Sequence, residues 1–316
     1  MHIAIIIIAA YIALNLVSFI INKIISKNEL RDIRPTGKMV NINGKRMHIT
    51  SMGDGPQTIV LLPGLGVALP SVDFRPLMQD LAKKHTVVTV EYFGYGFSDQ
   101  TDTPRTNANY VEETRKALAA AGFKPPYMLM PYSASGIYAE YYATKYPAEV
   151  AGLVLLDTVS AADKCPHIPR FVFTISKLQQ AIGAMRFLNP LLIPKLVGLT
   201  TDNGYTKQEI SEFVKFSNHA VNNTIIDQNV RFAANVQEVK DMPFPAGVPV
   251  LVIKADAHKV GVGKKSMEGH VKKLGDHAQS LVIPGSNHSN LYHNRAYRQM
   301  ICEAAEQFIT LAQANH

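Results

Sequence analysis

Residues 127–147 read YMLMPYSASGIYAEYYATKYP, with Pro131-Tyr132-Ser133-Ala134-Ser135-Gly136 at the centre. A cluster of small residues between a strand-like run (127–130) and a helix-like run (137–147) is typical of a sharp turn that presents a side chain. Ser133 is either presented as a nucleophile or caps the following helix, and capping is the commoner role of a serine at a helix start. The six residues leave both interpretations open, so the surrounding sequence has to decide.

Apolar strand-like runs and helix-like runs alternate around this stretch. The strand-like runs are TIVLLPG (58–64), HTVVTVEY (85–92), YMLMPY (127–132), VAGLVLLD (150–157), PVLVIKA (249–255) and QSLVIPG (279–285). Strands that are apolar throughout and separated by helices indicate a mostly parallel, doubly wound α/β sheet with both faces covered. Asn43-Gly44, between two further strand-like runs, predicts a hairpin.

The alternation divides the chain into five predicted parts. Residues 158–245 carry helical runs separated by Pro and Gly and no strong strand signal, which favours an inserted helical lid. We therefore predict an α/β core in two pieces, 37–157 and 246–316, on either side of the lid. An anchor (3–22) and a basic linker (23–36) precede them.

The anchor is predicted from residues 3–22, IAIIIIAAYIALNLVSFIIN, which are almost entirely apolar. Twenty helical residues span about 30 Å, the thickness of a bilayer core. A cleaved signal peptide is disfavoured, because the apolar run is long and no small-x-small cleavage site follows it. The sequence thus predicts a single-pass transmembrane helix. Basic residues on its C-terminal side predict a cytoplasmic globular domain.

Composition and charge exclude several classes of protein. The 316 residues are 47% hydrophobic and 18% charged, which provides a sizeable core and disfavours disorder. Two cysteines, Cys165 and Cys302, form neither a disulfide framework nor a CxxC metal site. The net charge of +7 is accompanied by no nucleic-acid-binding motif, so we predict no nucleic-acid partner.

Polar residues follow the predicted strands where an α/β sheet places its active crevice, at the carboxyl ends. Gly64-Leu65-Gly66, Ser133, Asp157, Asp256 and His288 all stand there. A serine hydroxyl is a poor nucleophile until a histidine accepts its proton, and a carboxylate fixes that histidine's tautomer. Residues of these three kinds at different strand ends therefore favour nucleophilic acyl transfer.

The pattern resembles the α/β-hydrolase family over about residues 37–313. PYMLMPYSASGIYAEYYATKYPAEVAGLVLLD (126–157) is similar to the family's strand, nucleophile elbow, helix and next strand. VLLPGLG (60–66) resembles the segment that supplies part of the oxyanion hole, and VIPGSNH (282–288) resembles the last strand and the loop of the catalytic histidine. The chain order Ser, Asp, His also agrees with the family.

The resemblance implies a role for each matched residue. Ser133 falls on the nucleophile and His288 on the general base, and the backbone N–H groups of Leu65 and Ala134 fall on the oxyanion hole. The acid stays open between Asp157, at the end of the sixth strand, and Asp256, which stands two residues before the commonest position of the family's acid. Positional agreement favours Asp157.

Two residues depart from the family's G-x-S-x-G elbow. Pro131 and Ser135 stand where glycines are usual. Ser135 is small, whereas Pro131 lacks a strand N–H and has a fixed φ.

The resulting functional hypothesis is a serine hydrolase that cleaves an apolar carboxylic ester, with no cofactor and no metal. His288 and His293 have four residues between them, but no third ligand stands at matching spacing. Two alternatives remain: an aminopeptidase-like or amidase-like hydrolase of the same fold, and a catalytically silent hydrolase fold used for binding.

Overall fold

A computed structural model of the chain describes residues 2–162, 165–257, 264–275 and 278–314. The strands are β1 (Lys38–Ile42), β2 (Lys45–Met52), β3 (Thr58–Leu62), β4 (Thr86–Glu91), β5 (Tyr127–Pro131), β6 (Val150–Leu156), β7 (Val250–Ala257) and β8 (Gln279–Asn287). The α-helices are α1 (His2–Glu29), α2 (Pro70–Asp73), α3 (Arg75–Leu81), α4 (Asn107–Ala121), α5 (Ser135–Lys145), α6 (Arg170–Ile182), α7 (Asn189–Val197), α8 (Lys207–Ser217), α9 (Asn223–Lys240), α10 (Lys264–Leu274) and α11 (Arg295–Ala314). Short 3₁₀ helices cover Pro147–Glu149, Ala184–Phe187 and Thr201–Asn203.

The strands form one mixed sheet in the order β1-β2-β4-β3-β5-β6-β7-β8. Strands β3 to β8 pair in parallel, whereas β2 pairs antiparallel with β1 and with β4. The β1–β2 hairpin turns at Asn43 and Gly44, whose φ angles of 53° and 84° are those that a two-residue hairpin turn requires. The predicted α/β fold with a mostly parallel sheet is confirmed.

Alternating side chains of the parallel strands divide the core between two faces of the sheet. In β3, Val60 and Leu62 belong to one buried cluster and Ile59 and Leu61 to the other. The first cluster includes side chains of α4, α5 and α9, and the second includes side chains of α3 and α11. Since successive strand residues point to opposite faces, a strand covered on both sides has to be apolar throughout.

Helix ends are set by local signals in the sequence. Thr106 accepts a hydrogen bond from the Asn109 N–H at the start of α4, and Gly122 ends that helix with φ 95°. Helix α8 begins with a capping box between Thr206 and Glu209.

The described residues between β6 and β7 fold into helices α6 to α9, which we call the helical insertion. It is tied to the core by polar contacts: Tyr205 donates to the Asp73 carbonyl (2.7 Å), and Arg75 pairs with Glu209 (2.9 Å). On the other side, Tyr95 donates to Gln228 of α9 (2.6 Å). The insertion is thereby held over the carboxyl end of the sheet.

Helix α1 continues to Glu29, beyond the predicted anchor end at residue 22 and into the predicted linker. Among the residues that the structure describes, no helix is long and apolar enough to cross a membrane, so the predicted transmembrane anchor is not supported. Part of that prediction, residues 3–9 and Tyr11, lies outside the residues whose side chains are described.

A buried ion pair joins Arg105, just before α4, to Glu113 in the second turn of that helix and gives a stability prediction. The guanidinium of Arg105 is fully buried and makes two hydrogen bonds to Glu113, of 3.0 and 2.6 Å. Replacing Arg105 with Ala leaves a buried carboxylate without its partner, so we expect a loss of about 3–5 kcal/mol in the free energy of unfolding. The exposed pair Arg46–Asp99 is the matched control. Its variant Arg46→Ala should lose less than about 1 kcal/mol. Urea unfolding of both variants measures the difference, and equal losses would contradict the prediction.

Candidate active site

Three side chains from different strand ends meet at the carboxyl edge of the sheet. Ser133 follows β5, Asp157 follows β6, and His288 follows β8. His288 Nε2 lies 3.0 Å from Ser133 Oγ, and His288 Nδ1 lies 2.6 Å from Asp157 Oδ2. Because a carboxylate only accepts, Nδ1 carries a proton toward Asp157, and in the neutral ring Nε2 is free to accept from the Ser133 hydroxyl.

The turn that presents Ser133 is strained and tightly packed. Ser133 has φ 54°, a left-handed conformation that is uncommon outside glycine. Gly64 lies against this turn, since a methyl group on it would lie 2.9 Å from Tyr132 Cδ1 and 3.0 Å from Ser133 Cβ. Only a glycine therefore allows the loop after β3 to approach the serine this closely.

Ser135 connects the turn to that same loop. Its fully buried hydroxyl donates to the Pro63 carbonyl (2.5 Å) and lies 3.2 Å from the Tyr92 hydroxyl. The serine that replaces the usual glycine thus fits the turn and holds it to the loop that contains Leu65.

Pro131 lies at a gap in the pairing of β5 with β6. It is the last residue of β5, and the regular β5–β6 ladder ends at the Leu129–Leu153 pair. The Ser133 N–H donates to the Leu156 carbonyl (3.1 Å), and alternate amides of a strand face the same neighbour. An amide at position 131 would therefore face β6, in the gap between that ladder and the bridge that pairs Tyr132 with Leu156. The proline accounts for the interruption, and the pairing with β6 resumes directly after it.

Asp157 is fixed by several contacts besides His288. It is 8% exposed and has φ 42°, and its Oδ1 accepts from the Ala255 N–H (3.2 Å). Burial of the Asp157 carboxyl opposes ionisation, but the hydrogen bond and charge of His288, the charge of Lys254 and the Ala255 amide outweigh it. The pKa of Asp157 is consequently below its ordinary value, and the group is ionised at neutral pH.

Asp256, the alternative acid, does not reach His288. It is exposed, and its Oδ2 accepts from the Gly285 N–H (2.9 Å), while its own N–H contacts Ser286 Oγ (3.4 Å). These bonds tie β7 to β8 below the histidine loop. Of the two candidates, Asp157 is the carboxylate in contact with the imidazole.

The predicted oxyanion-hole donors are the backbone N–H groups of Leu65 and Ala134. Leu65 is on the loop after β3 and lines the cavity in front of Ser133, and Ala134 directly follows the serine. Within the described part of the chain, neither backbone N–H has a hydrogen-bond partner. The next amide, that of Gly66, donates to the Tyr95 hydroxyl (3.1 Å), which fixes the loop.

A cavity of about 370 Å³ opens in front of Ser133 and His288. Its apolar wall comes from the helical insertion, with Ile193 and Val197 of α7 and Phe213 of α8. A volume of this size matches small-molecule sites lined mainly by apolar groups.

The cavity also has a polar wall, whose contacts were not predicted from the sequence. Asp73 is buried and accepts hydrogen bonds from the Tyr292 hydroxyl and from His293 Nε2 (2.9 Å). Both residues stand in the segment after β8, and Asp73 stands in α2. His293, considered in the sequence as a metal ligand, is therefore engaged by a carboxylate. The described residues include no group of three or more ligands that could hold a metal ion.

Tyr132 packs against His288 and holds it in position. Its ring stacks on the His288 imidazole at a centroid distance of 4.8 Å, and its hydroxyl donates to the His288 carbonyl (2.8 Å). Burial of the phenol, together with the charges of Asp73 and Asp157, raises the pKa of Tyr132 well above its ordinary value, so the hydroxyl keeps its proton. Tyr92 and Tyr95 are buried in the core.

Comparisons of the sequence and of the structure with known proteins point to the same family. A model of the alpha/beta hydrolase fold family matches residues 57–185. The chain is 30% identical to the uncharacterized protein YbdG of Bacillus subtilis, over 71% of this chain and 70% of that protein. It is 24% identical to the pimeloyl-[acyl-carrier protein] methyl ester esterase of Xylella fastidiosa, over 77% of this chain and 92% of the esterase. The structure is similar to that of Cfl2 from Burkholderia cenocepacia, with a TM-score of 0.68, 17% identity and coverage of 88% of this chain and 98% of Cfl2.

The geometry of the two candidate acids yields a direct prediction. Asp157→Asn removes the charge that orients the His288 imidazole, so turnover of an ester should fall by about four orders of magnitude. Asp256→Asn, the matched control at the neighbouring strand end, should change turnover little because, among the described residues, Asp256 contacts the Gly285 amide and the Ser286 hydroxyl and not the His288 ring. Steady-state kinetics on both variants measure the contrast. A larger loss in Asp256→Asn would reverse the assignment.

Proposed function

The chain belongs to the alpha/beta hydrolase fold family, and we propose that it is a serine hydrolase that cleaves a carboxylic ester through an acyl-enzyme on Ser133. The observation that carries the proposal is the unbroken chain of contacts from Ser133 Oγ to His288 Nε2 (3.0 Å) and from His288 Nδ1 to Asp157 Oδ2 (2.6 Å). This arrangement is what activates a serine hydroxyl.

In the proposed acylation step, Ser133 Oγ attacks the ester carbonyl carbon and His288 Nε2 takes the hydroxyl proton. The Asp157 carboxylate stabilises the imidazolium that forms. The carbonyl oxygen becomes an oxyanion that accepts hydrogen bonds from the Leu65 and Ala134 N–H groups, and each such donor contributes about 3 kcal/mol to the transition state. The tetrahedral intermediate then collapses, and the alcohol leaves with the proton from His288.

Deacylation repeats the same chemistry with water. His288 accepts a proton from the water molecule, whose oxygen attacks the acyl carbon on Ser133. Collapse of the second tetrahedral intermediate returns the proton to Ser133 Oγ and releases the carboxylic acid. Both half-reactions need His288 close to Ser133, and the Tyr132 ring and hydroxyl hold the histidine loop in that position.

An apolar ester is the substrate class that the cavity supports. The wall formed by Ile193, Val197 and Phe213 suits a hydrocarbon acyl or alcohol group. The similar Xylella protein is named as a methyl ester esterase, which agrees with ester chemistry at such a site.

Covalent labelling tests whether Ser133 is a nucleophile. A fluorophosphonate probe should label the wild-type chain, and Ser133→Ala should abolish labelling because it removes the attacking oxygen. His288→Ala should reduce both labelling and ester hydrolysis by several orders of magnitude, since residues that act as a unit fail together. In-gel fluorescence measures the labelling.

The matched control is Ser289→Ala, which removes the hydroxyl of another cavity-lining serine. This variant should label like the wild type. No labelling of the wild type would favour the catalytically silent alternative. Faster turnover of anilides than of the corresponding nitrophenyl esters would favour the amidase alternative.

Two neighbouring residues of α7 test the substrate cavity. Val197→Phe adds bulk inside the cavity, so kcat/KM for long-chain nitrophenyl esters should fall by roughly tenfold or more relative to the acetate ester. Leu196→Phe is the matched control, since Leu196 is 67% exposed on the other side of α7. Its long-chain to acetate ratio should be unchanged. An identical ratio in Val197→Phe and wild type would place the acyl group elsewhere.

A further inference from the structure

Exposed large apolar side chains are concentrated in two segments. Of the 23 such side chains among the described residues, nine lie in α1 between residues 12 and 25, and eleven lie between residues 168 and 196 of the helical insertion. The exceptions are Leu65, Met300 and Leu311. Scattered exposed apolar residues need no explanation, but a contiguous set of this size marks an interaction surface.

The two segments form one continuous surface. Between them lies an apolar groove of about 480 Å³, lined by Leu14, Val17 and Ile21 of α1 and by Ile182 and Phe187 of the insertion. We call residues 12–25 together with residues 168–196 the apolar platform.

Helix α1 packs on the insertion with its polar side inward. Ser18 donates to the Ile182 carbonyl (2.7 Å), and Asn22 donates to the carbonyls of Gln180 and Ala181 (3.1 and 2.8 Å). Arg186 of the insertion in turn donates to Asn22, Ser26 and Glu29.

The apolar side of α1 faces outward, as at Leu16, Ile20 and Ile24, which are 57%, 49% and 64% exposed. A helix that faces water buries its apolar side and exposes its polar side. Helices surrounded by lipid associate through small and polar residues instead. The orientation of α1 therefore indicates an apolar environment around the platform.

The insertion carries an apolar stripe of its own. Phe171, Ile175 and Leu178 are spaced i, i+4 and i+7 on α6, and all three are more than half exposed. On α7, Leu191 and Leu196 face outward, at 64% and 67% exposure, while Ile193 and Val197 line the cavity of Ser133. Helix α7 thus contributes both to the platform and to the wall of the cavity at Ser133.

The charge around the platform is positive. Residues 165–200 contain Arg170, Lys177, Arg186 and Lys195 and no acidic residue. Lys23 and Lys27 of α1 are exposed, Glu29 is paired with Arg186 (2.5 Å), and Arg170 lies 4.0 Å from Asp227 of α9. Lys23, Lys27, Lys177 and Lys195 therefore carry the excess positive charge. Amphipathic surfaces with basic residues beside an apolar face bind anionic lipid surfaces.

We propose that the apolar platform docks the protein onto the surface of an anionic lipid bilayer, with α6 and α7 lying in the interfacial layer. The part of the inference that concerns substrate rests on the proposed function: an apolar ester dissolved in the bilayer reaches Ser133 past α7. A second copy of the chain fits the platform less well, because a self-complementary pairing of the same patch would bring its basic residues together.

The sequence contains no tryptophan, so single substitutions report insertion directly. Phe171→Trp and Leu191→Trp place a probe on the platform, and Leu311→Trp places one at an exposed apolar position of α11 outside it. The full-length variants are mixed with vesicles of equal parts phosphatidylglycerol and phosphatidylcholine. Tryptophan emission should shift to shorter wavelength and be quenched by brominated lipid in the two platform variants and not in Leu311→Trp.

Several outcomes would overturn the proposal. Quenching that is absent from the platform variants, or equal in Leu311→Trp, would show that the platform does not enter the bilayer. An emission shift without vesicles that grows with protein concentration, together with twice the monomer mass in light scattering, would show that a second copy covers the platform.

Charge-reversal variants provide an independent test of the proposal. Lys177→Glu combined with Lys195→Glu should weaken partitioning onto the anionic vesicles by more than about 30-fold, since each basic residue near such a surface contributes about fivefold. Partitioning that is equal with and without phosphatidylglycerol would contradict the electrostatic part. Hydrolysis of a water-soluble acetate ester by the same variants separates this inference from the proposed function: docking can fail while turnover of that ester persists.

Discussion

The contact between His288 and Asp157 joins the ends of β8 and β6, which are separated in the sheet by β7. Ser133, at the end of β5, completes a line of contacts across four adjacent parallel strands. No local segment could hold these three side chains together, because more than 130 residues of chain separate Asp157 from His288. The sheet fixes the strand spacing and the direction of each strand end, and the polar contacts depend on that spacing.

Two of these three residues have backbone dihedral angles that are locally unfavourable. Ser133 and Asp157 have φ angles of 54° and 42°, and a strained backbone of this kind costs of order 1–3 kcal/mol per residue. The surrounding contacts hold both in place. The N–H of Ser133 donates to the Leu156 carbonyl, and that of Asp157 donates to the Ile253 carbonyl (2.7 Å). Each strained turn is thereby fastened to the neighbouring strand, which keeps the side chain aimed beyond the sheet edge.

Much of this arrangement follows from the sequence, because strand ends can be read from it. Apolar runs bounded by Gly, Pro, Ser or Asp predicted the parallel sheet, and polar residues at those boundaries were the natural candidates for the site. Spacing did not decide between Asp157 and Asp256, since the choice depends on contacts made only in the folded chain: Asp256 accepts from the Gly285 N–H of β8, whereas Asp157 contacts His288. The buried contacts of Asp73 with Tyr292 and His293 were not foreseeable, because α2 and the segment after β8 meet only in the folded chain.

The N-terminal helix shows that hydropathy alone does not determine where an apolar helix lies in the folded protein. Its apolar residues predicted a transmembrane helix, but Ser18, Asn22 and Ser26 recur at a helical spacing of four residues and bind the insertion. The few polar residues of α1 therefore determine which surface the helix packs against, and its many apolar residues determine which environment its outer face favours. Through α7, the same insertion presents Ile193 and Val197 to the cavity and Leu191 and Leu196 to the outside. Any change in the packing of α1 on the insertion consequently acts on both the outer platform and the wall of the cavity, since α7 is shared between them.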